Sequence, residues 1–93
     1  MTEEMKQRIA QAAQALKKAG AREIYVFGSA ATGRLQEDSD IDMAVSGLPP
    51  RQFFRAMGQA SRLLQRPVDL VDLDEEGPFT DYLKNEGELI RVE

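Results

Sequence analysis

The sequence predicts an α/β (α+β) domain: a small mixed β-sheet with helices packed on one face. Three observations carry that expectation. Apolar residues recur at helical spacing over positions 3–19; short β-branched and aromatic runs occur at 23–27, 40–45 and 68–72; a second amphipathic stretch, 50–65, separates the last two. Strands interleaved with helices assemble as a helical layer on a sheet. The chain has 93 residues, enough for one compact core, so residues 1–93 are read as a single domain with no repeat, linker or low-complexity tract.

The first helix rests on Met5, Ile9, Ala12, Ala13 and Leu16, with Thr2 able to cap its start and Gly20 its end. Glu3 and Glu4 in the first turn and Lys17 and Lys18 in the last complement the helix dipole. Glu23-Ile24-Tyr25-Val26-Phe27 is apolar on both faces after Glu23, which predicts a strand covered on both sides and ending at Gly28-Ser29. Residues 30–38, with Gly33 and several polar side chains, read as a loop or a short helical turn.

In Asp40-Ile41-Asp42-Met43-Ala44-Val45 the period of two puts Ile41, Met43 and Val45 on one face and Asp40, Asp42 and Ala44 on the other. After Gly47-Leu48-Pro49-Pro50, Pro50 suits the first position of a helix running to about Gln65, with a core stripe of Phe53, Met57, Ala60 and Leu64. Arg51, Arg55, Arg62 and Arg66 fall within about a 60° arc on the opposite side and read as a solvated face. A third strand, 68–72, follows Pro67. A short helix around Phe79, Tyr82 and Leu83 stops near Gly87, Tyr25 and Tyr82 read as packing residues, and positions 89–92 add a last extended piece.

Composition narrows the chemistry. Lys+Arg 12 against Asp+Glu 16 gives a net charge of −4, which argues against direct nucleic-acid binding, since such proteins neutralise runs of phosphate. Histidine and cysteine are both absent, removing the usual general base, thiolate chemistry and His-based metal sites. No apolar run approaches the roughly 20 residues that cross a bilayer. The opening MTEEMKQR is polar without an apolar stretch, so a cytoplasmic location is expected.

The chemistry therefore falls to carboxylates, hydroxyls and cationic side chains, and one stretch concentrates them: GSAATGRLQEDSDID, residues 28–42. Asp40 and Asp42, at i and i+2 on a strand, share a face roughly 7 Å apart at Cα, and carboxylates so spaced can converge on divalent cations. An oxygen-only donor set favours Mg²⁺ or Mn²⁺ over zinc. Gly28-Ser29, where a strand enters a helical turn, offers N–H groups and a hydroxyl to phosphate oxygens. Asp69 is the leading candidate for a third carboxylate because its strand can pair beside the Asp40 strand, with Asp72 and Asp74 as alternatives. Two cations held this way can orient a triphosphate and stabilise departing pyrophosphate. The blander readings are a solvated strand face for Asp40 and Asp42, an edge-strand charge for Asp69 and a helix cap for Ser29.

Gly-Ser, ten residues, then Asp-x-Asp resembles the signature of the minimal nucleotidyltransferases of the DNA polymerase β-like superfamily, and the resemblance spans most of residues 5–75. It implies a nucleotidyltransferase fold, with Mg²⁺, two ions in number, bound by the residues matching Asp40, Asp42 and Asp69. Gly28 and Ser29 would contact the triphosphate of ATP. Family members often carry arginines after Gly-Ser, as in GSRARG; here those positions are Ala30 and Thr32, and Arg34 is the nearby cation that can substitute. The resemblance further implies transfer of AMP to a hydroxyl on a helical HEPN-domain toxin partner, in an antitoxin role. The alternative is a catalytically weak or inactive module of this fold that neutralises its partner by binding. A homo-oligomer is compatible with either.

Overall fold

The computed structural model describes residues 2–36 and 38–93. In chain order it contains helix α1 (Glu3–Lys18), strand β1 (Glu23–Phe27), a one-turn helix α2 (Ser29–Thr32), β2 (Ile41–Ser46), a 3₁₀ turn (Pro50–Gln52) leading into α3 (Phe53–Leu64), β3 (Val68–Asp72), α4 (Pro78–Asn85) and β4 (Ile90–Arg91). Position 37, within the expected loop, lies outside the described residues.

The four strands form one mixed sheet in the order β3-β2-β1-β4. β1 pairs antiparallel with β2 and β4, and β2 pairs parallel with β3. A parallel neighbour requires a crossover, and α3 supplies it between β2 and β3. The central places of β1 and β2 explain why Ile24, Val26, Ile41, Met43, Ala44 and Val45 are all buried.

Local chemistry sets the helix ends. Thr2 Oγ1 accepts from Met5 N at 3.1 Å at the start of α1. Pro50 opens the 3₁₀ turn rather than α3, which begins at Phe53. At the other end of α3, Gln65 turns left-handed with φ 56°, and Gln65 N and Arg66 N donate back to Arg62 O and Ser61 O.

The main core lies between the sheet and the α1–α3 layer. Leu16, Ile24, Ile41, Met43, Val45 and Leu64 are fully buried there, each large side chain contributing about 1.5–3 kcal/mol by leaving water. Ala12, Ala13, Ala56 and Ala60 are also buried, and their small side chains let α1 and α3 lie side by side. Ala56 joins the expected stripe of α3, whereas Phe53 and Met57 sit at its margin. The expected short helix, α4, packs on the opposite face rather than in the single helical layer expected. Its Leu83 packs with Ala44, Leu73, Tyr25, Phe27 and Val71 in a second, smaller cluster. Tyr25 thus packs as expected, whereas Tyr82 is 54% exposed.

Candidate active site

The face of the sheet opposite α1 and α3 carries the carboxylates, and strand register determines which of them meet. Asp42 alternates with the buried Ile41 and Met43 and so points to the other face. Across the antiparallel ladder its partner is Phe27; across the parallel ladder it is Asp69. Paired residues share a face, so Asp42 and Asp69 stand side by side. Asp40 is placed one residue before β2, not within it, because the strand begins where Ile41 N donates to Pro67 O at 3.0 Å. Asp42 is half-buried between Asp40 and Asp69, which are both exposed.

Electrostatics reports the same grouping. Burial pushes the Asp42 carboxyl above its usual pKa, and the charges of Asp69 and then Asp40 push it further in the same direction. Among the described residues no three acidic side chains already converge as a closed metal cage. Asp42, Asp69 and Asp40 carry like charges that repel one another. Their carboxylate oxygens are the donor type that suits a hard divalent cation such as Mg²⁺.

Phe27 ends β1, and Gly28 then takes φ 65° and ψ −141°, a conformation close to those open only to glycine. The turn brings Gly28 against Asp42 so closely that a Cβ on Gly28 would run into Oδ2 of the carboxylate. Ser29 then opens α2, where first-turn N–H groups lack intrahelical acceptors. Gly28 O accepts from Ala31 N at 3.1 Å and Thr32 N at 3.2 Å, and the Thr32 hydroxyl also donates to it at 3.3 Å. Thr32, at a position where the resembling family often has arginine, therefore braces the turn.

Not every candidate joins this group. Arg34 follows Gly33 at the end of α2 and donates its backbone N–H to Ser29 O at 3.0 Å; its exposed side chain has no hydrogen-bond or ion-pair partner among the described residues. The alternatives to Asp69 hold turns. Asp72 Oδ1 accepts from Asp74 N at 2.9 Å, and Asp74 Oδ2 accepts from Gly47 N at 2.6 Å. Asp72 stands three places beyond Asp69, paired with Val45, and the alternation along the strand turns it to the opposite face.

Sequence reasoning missed Arg66. It lies beyond the left-handed turn at Gln65 and so leaves the arginine arc of α3, and its guanidinium donates to Gln36 O at 2.8 Å and Ser39 O at 3.1 Å. Those contacts tie the segment carrying Asp40 to the start of β3, which carries Asp69. Its position directly before Pro67 and the third strand was the available signal. A separate groove of about 760 Å³ between α1 and α3, lined by Gln11, Gln14, Arg55, Gln59 and Arg62 among others, contains none of the candidate residues.

A sheet that sets paired aspartates beside a Gly-Ser turn is the framework of a nucleotidyltransferase fold. The Polymerase beta, Nucleotidyltransferase family model matches residues 7–92, and the chain belongs to that family. Among solved structures, it resembles one described as a minimal nucleotidyltransferase, with 27% identity and a TM-score of 0.72 over 87% of each chain. A toxin–antitoxin crystal structure with AMP-PNP aligns at 24% identity and TM-score 0.71, covering 97% of this chain and 72% of that one. A tri-AMPylated Shewanella oneidensis HEPN toxin in complex with an MNT antitoxin provides a further similar fold, at 24% identity and TM-score 0.59 over 78% of this chain and 59% of the other. No curated protein matches the sequence.

Proposed function

We propose that this protein is a Mg²⁺-dependent nucleotidyltransferase that moves AMP from ATP to a hydroxyl on a HEPN-type toxin partner and thereby acts as an antitoxin in the cytoplasm. The observation that carries the reading is the register of Asp42 with Asp69 beneath the Gly28 turn. The similar folds found in a toxin–antitoxin with AMP-PNP and in an AMPylated HEPN toxin bound to an MNT antitoxin support the choice of nucleotide and partner.

In this reading Asp40, Asp42 and Asp69 hold Mg²⁺. When bound, the metal neutralises the triphosphate and makes the acceptor hydroxyl easier to deprotonate. The chain's own contribution is placement. Gly28 and Ser29 offer N–H groups and a hydroxyl to the phosphates, and Arg34 adds a cation at their edge. The acceptor oxygen bonds to the α-phosphorus as its bond to the bridging oxygen breaks, so pyrophosphate leaves. We assign the hydroxyl's proton to the exposed Asp69.

Labelled ATP, Mg²⁺ and the HEPN-type partner provide the test. Wild type should label the partner and Asp42→Asn should not; no transfer by wild type rejects the enzymatic reading. Ala30 and Thr32, in place of arginines, favour a second reading in which binding alone neutralises the partner. That reading prevails if Asp40→Asn and Asp42→Asn leave neutralisation intact.

A further inference from the structure

We infer that Phe79 is the stacking platform for the nucleobase of the bound triphosphate, an inference that rests on the nucleotide site proposed above. Five large apolar side chains are exposed among the described residues: Phe54, Leu63, Phe79, Tyr82 and Ile90. Of these, Phe79 is the one whose ring meets Phe27, edge to face, with centroids 6.3 Å apart and planes inclined at 62°. Phe27 is the cross-strand partner of Asp42 and the residue before Gly28. Phe79 is therefore one aromatic ring removed from the strand position that pairs with Asp42.

The contacts of α4 hold it on the carboxylate face of the sheet. Leu83, one turn after Phe79, packs in the cluster with Ala44, two residues along β2 from Asp42. Leu83 and Thr80 are buried and anchor the helix, whereas Phe79 remains 53% exposed. An aromatic ring steadied by Phe27, with about half of its surface open, is the element a flat π-system requires. Phosphates held at Gly28-Ser29 leave the base about one ribose away, within reach of that ring. Stacking tolerates any base, so Phe79 provides affinity for nucleotide over bare polyphosphate rather than choice among bases.

Titration calorimetry with Mg²⁺ and either ATP or inorganic tripolyphosphate separates the two claims. Phe79→Leu keeps an apolar contact on Phe27 but removes the π face. It should weaken ATP binding about 5- to 150-fold and leave tripolyphosphate binding unchanged. The chain has no tryptophan, so Phe79→Trp provides a single indole whose fluorescence ATP should quench and tripolyphosphate should not. ATP affinity unchanged in Phe79→Leu overturns the platform, even if transfer to the partner is lost and the ring serves the acceptor instead. Wild type that binds neither probe overturns the nucleotide site and the platform together. Wild type that binds both equally overturns the platform alone.

Discussion

Gly28 lies so close to the Asp42 carboxylate that a Cβ there would displace Oδ2, because the backbone after β1 folds directly over that oxygen. The contact couples a left-handed turn, φ 65°, to the half-buried member of the acidic group. Gly28→Ala introduces both a collision and a disfavoured backbone. The expected cost is about 1–3 kcal/mol of stability, together with loss of nucleotide affinity. Urea unfolding and calorimetry with MgATP check the two effects separately.

Asp42 links stability to pH. Its pKa is raised in the folded protein, from an ordinary value of 3.8, by burial and then by Asp69 and Asp40. Between 3.8 and the raised value the native state binds more protons than the unfolded chain, so stability falls as pH rises through that window. In EDTA, Asp42→Asn should therefore melt above wild type at neutral pH, with the difference closing below about pH 3.8. Mg²⁺ should raise the wild-type Tm and leave that of Asp42→Asn nearly unchanged. A variant that melts lower than wild type in EDTA at pH 7 contradicts this account.

Asp69 and Asp72 share a strand and should behave oppositely. Asp69→Asn alters the acidic group beside Asp42 and is expected to lower AMP transfer on the order of 10²-fold, as loss of a preorganised electrostatic group does, with little change in Tm. Asp72→Ala removes the acceptor for Asp74 N. That should cost about 1 kcal/mol of stability and leave transfer within twofold. Paired melting and label-transfer assays read both.

Arg66 tests whether the segment before β2 must be tied down. Its donations to Gln36 O and Ser39 O are the fastening just ahead of Asp40. Arg66→Gln should lose about 1.5–3 kcal/mol, the range for hydrogen bonds to a charged group. Hydrogen exchange should rise at the amides of Gln36 and Ser39, whereas those of Ile24 and Val45 in the central strands should change less. Equal acceleration everywhere would make Arg66 a general stabiliser rather than a local fastening.

The elements were legible in the sequence because they are local. Capping by Thr2, the helical period of Ile9 to Leu16, the alternation of Ile41, Asp42 and Met43, and the breaks at Gly28 and Gly47 each depend on residues a few positions apart. Gly28, Ser29, Asp40 and Asp42 were grouped through the family signature that they resemble, Gly-Ser, ten residues, then Asp-x-Asp. Tertiary structure alone decided that Asp69, not Asp72 or Asp74, stands beside Asp42, since a strand shifted by one residue would present the other set of side chains and only the parallel pairing with β2 selects the register. The same long-range packing carried Arg66 back to Ser39 after the turn at Gln65 and laid α4 on the carboxylate face with Phe79 against Phe27. Contacts between residues tens of positions apart leave no periodicity in the chain, because they arise when separate elements bury their apolar faces against one another.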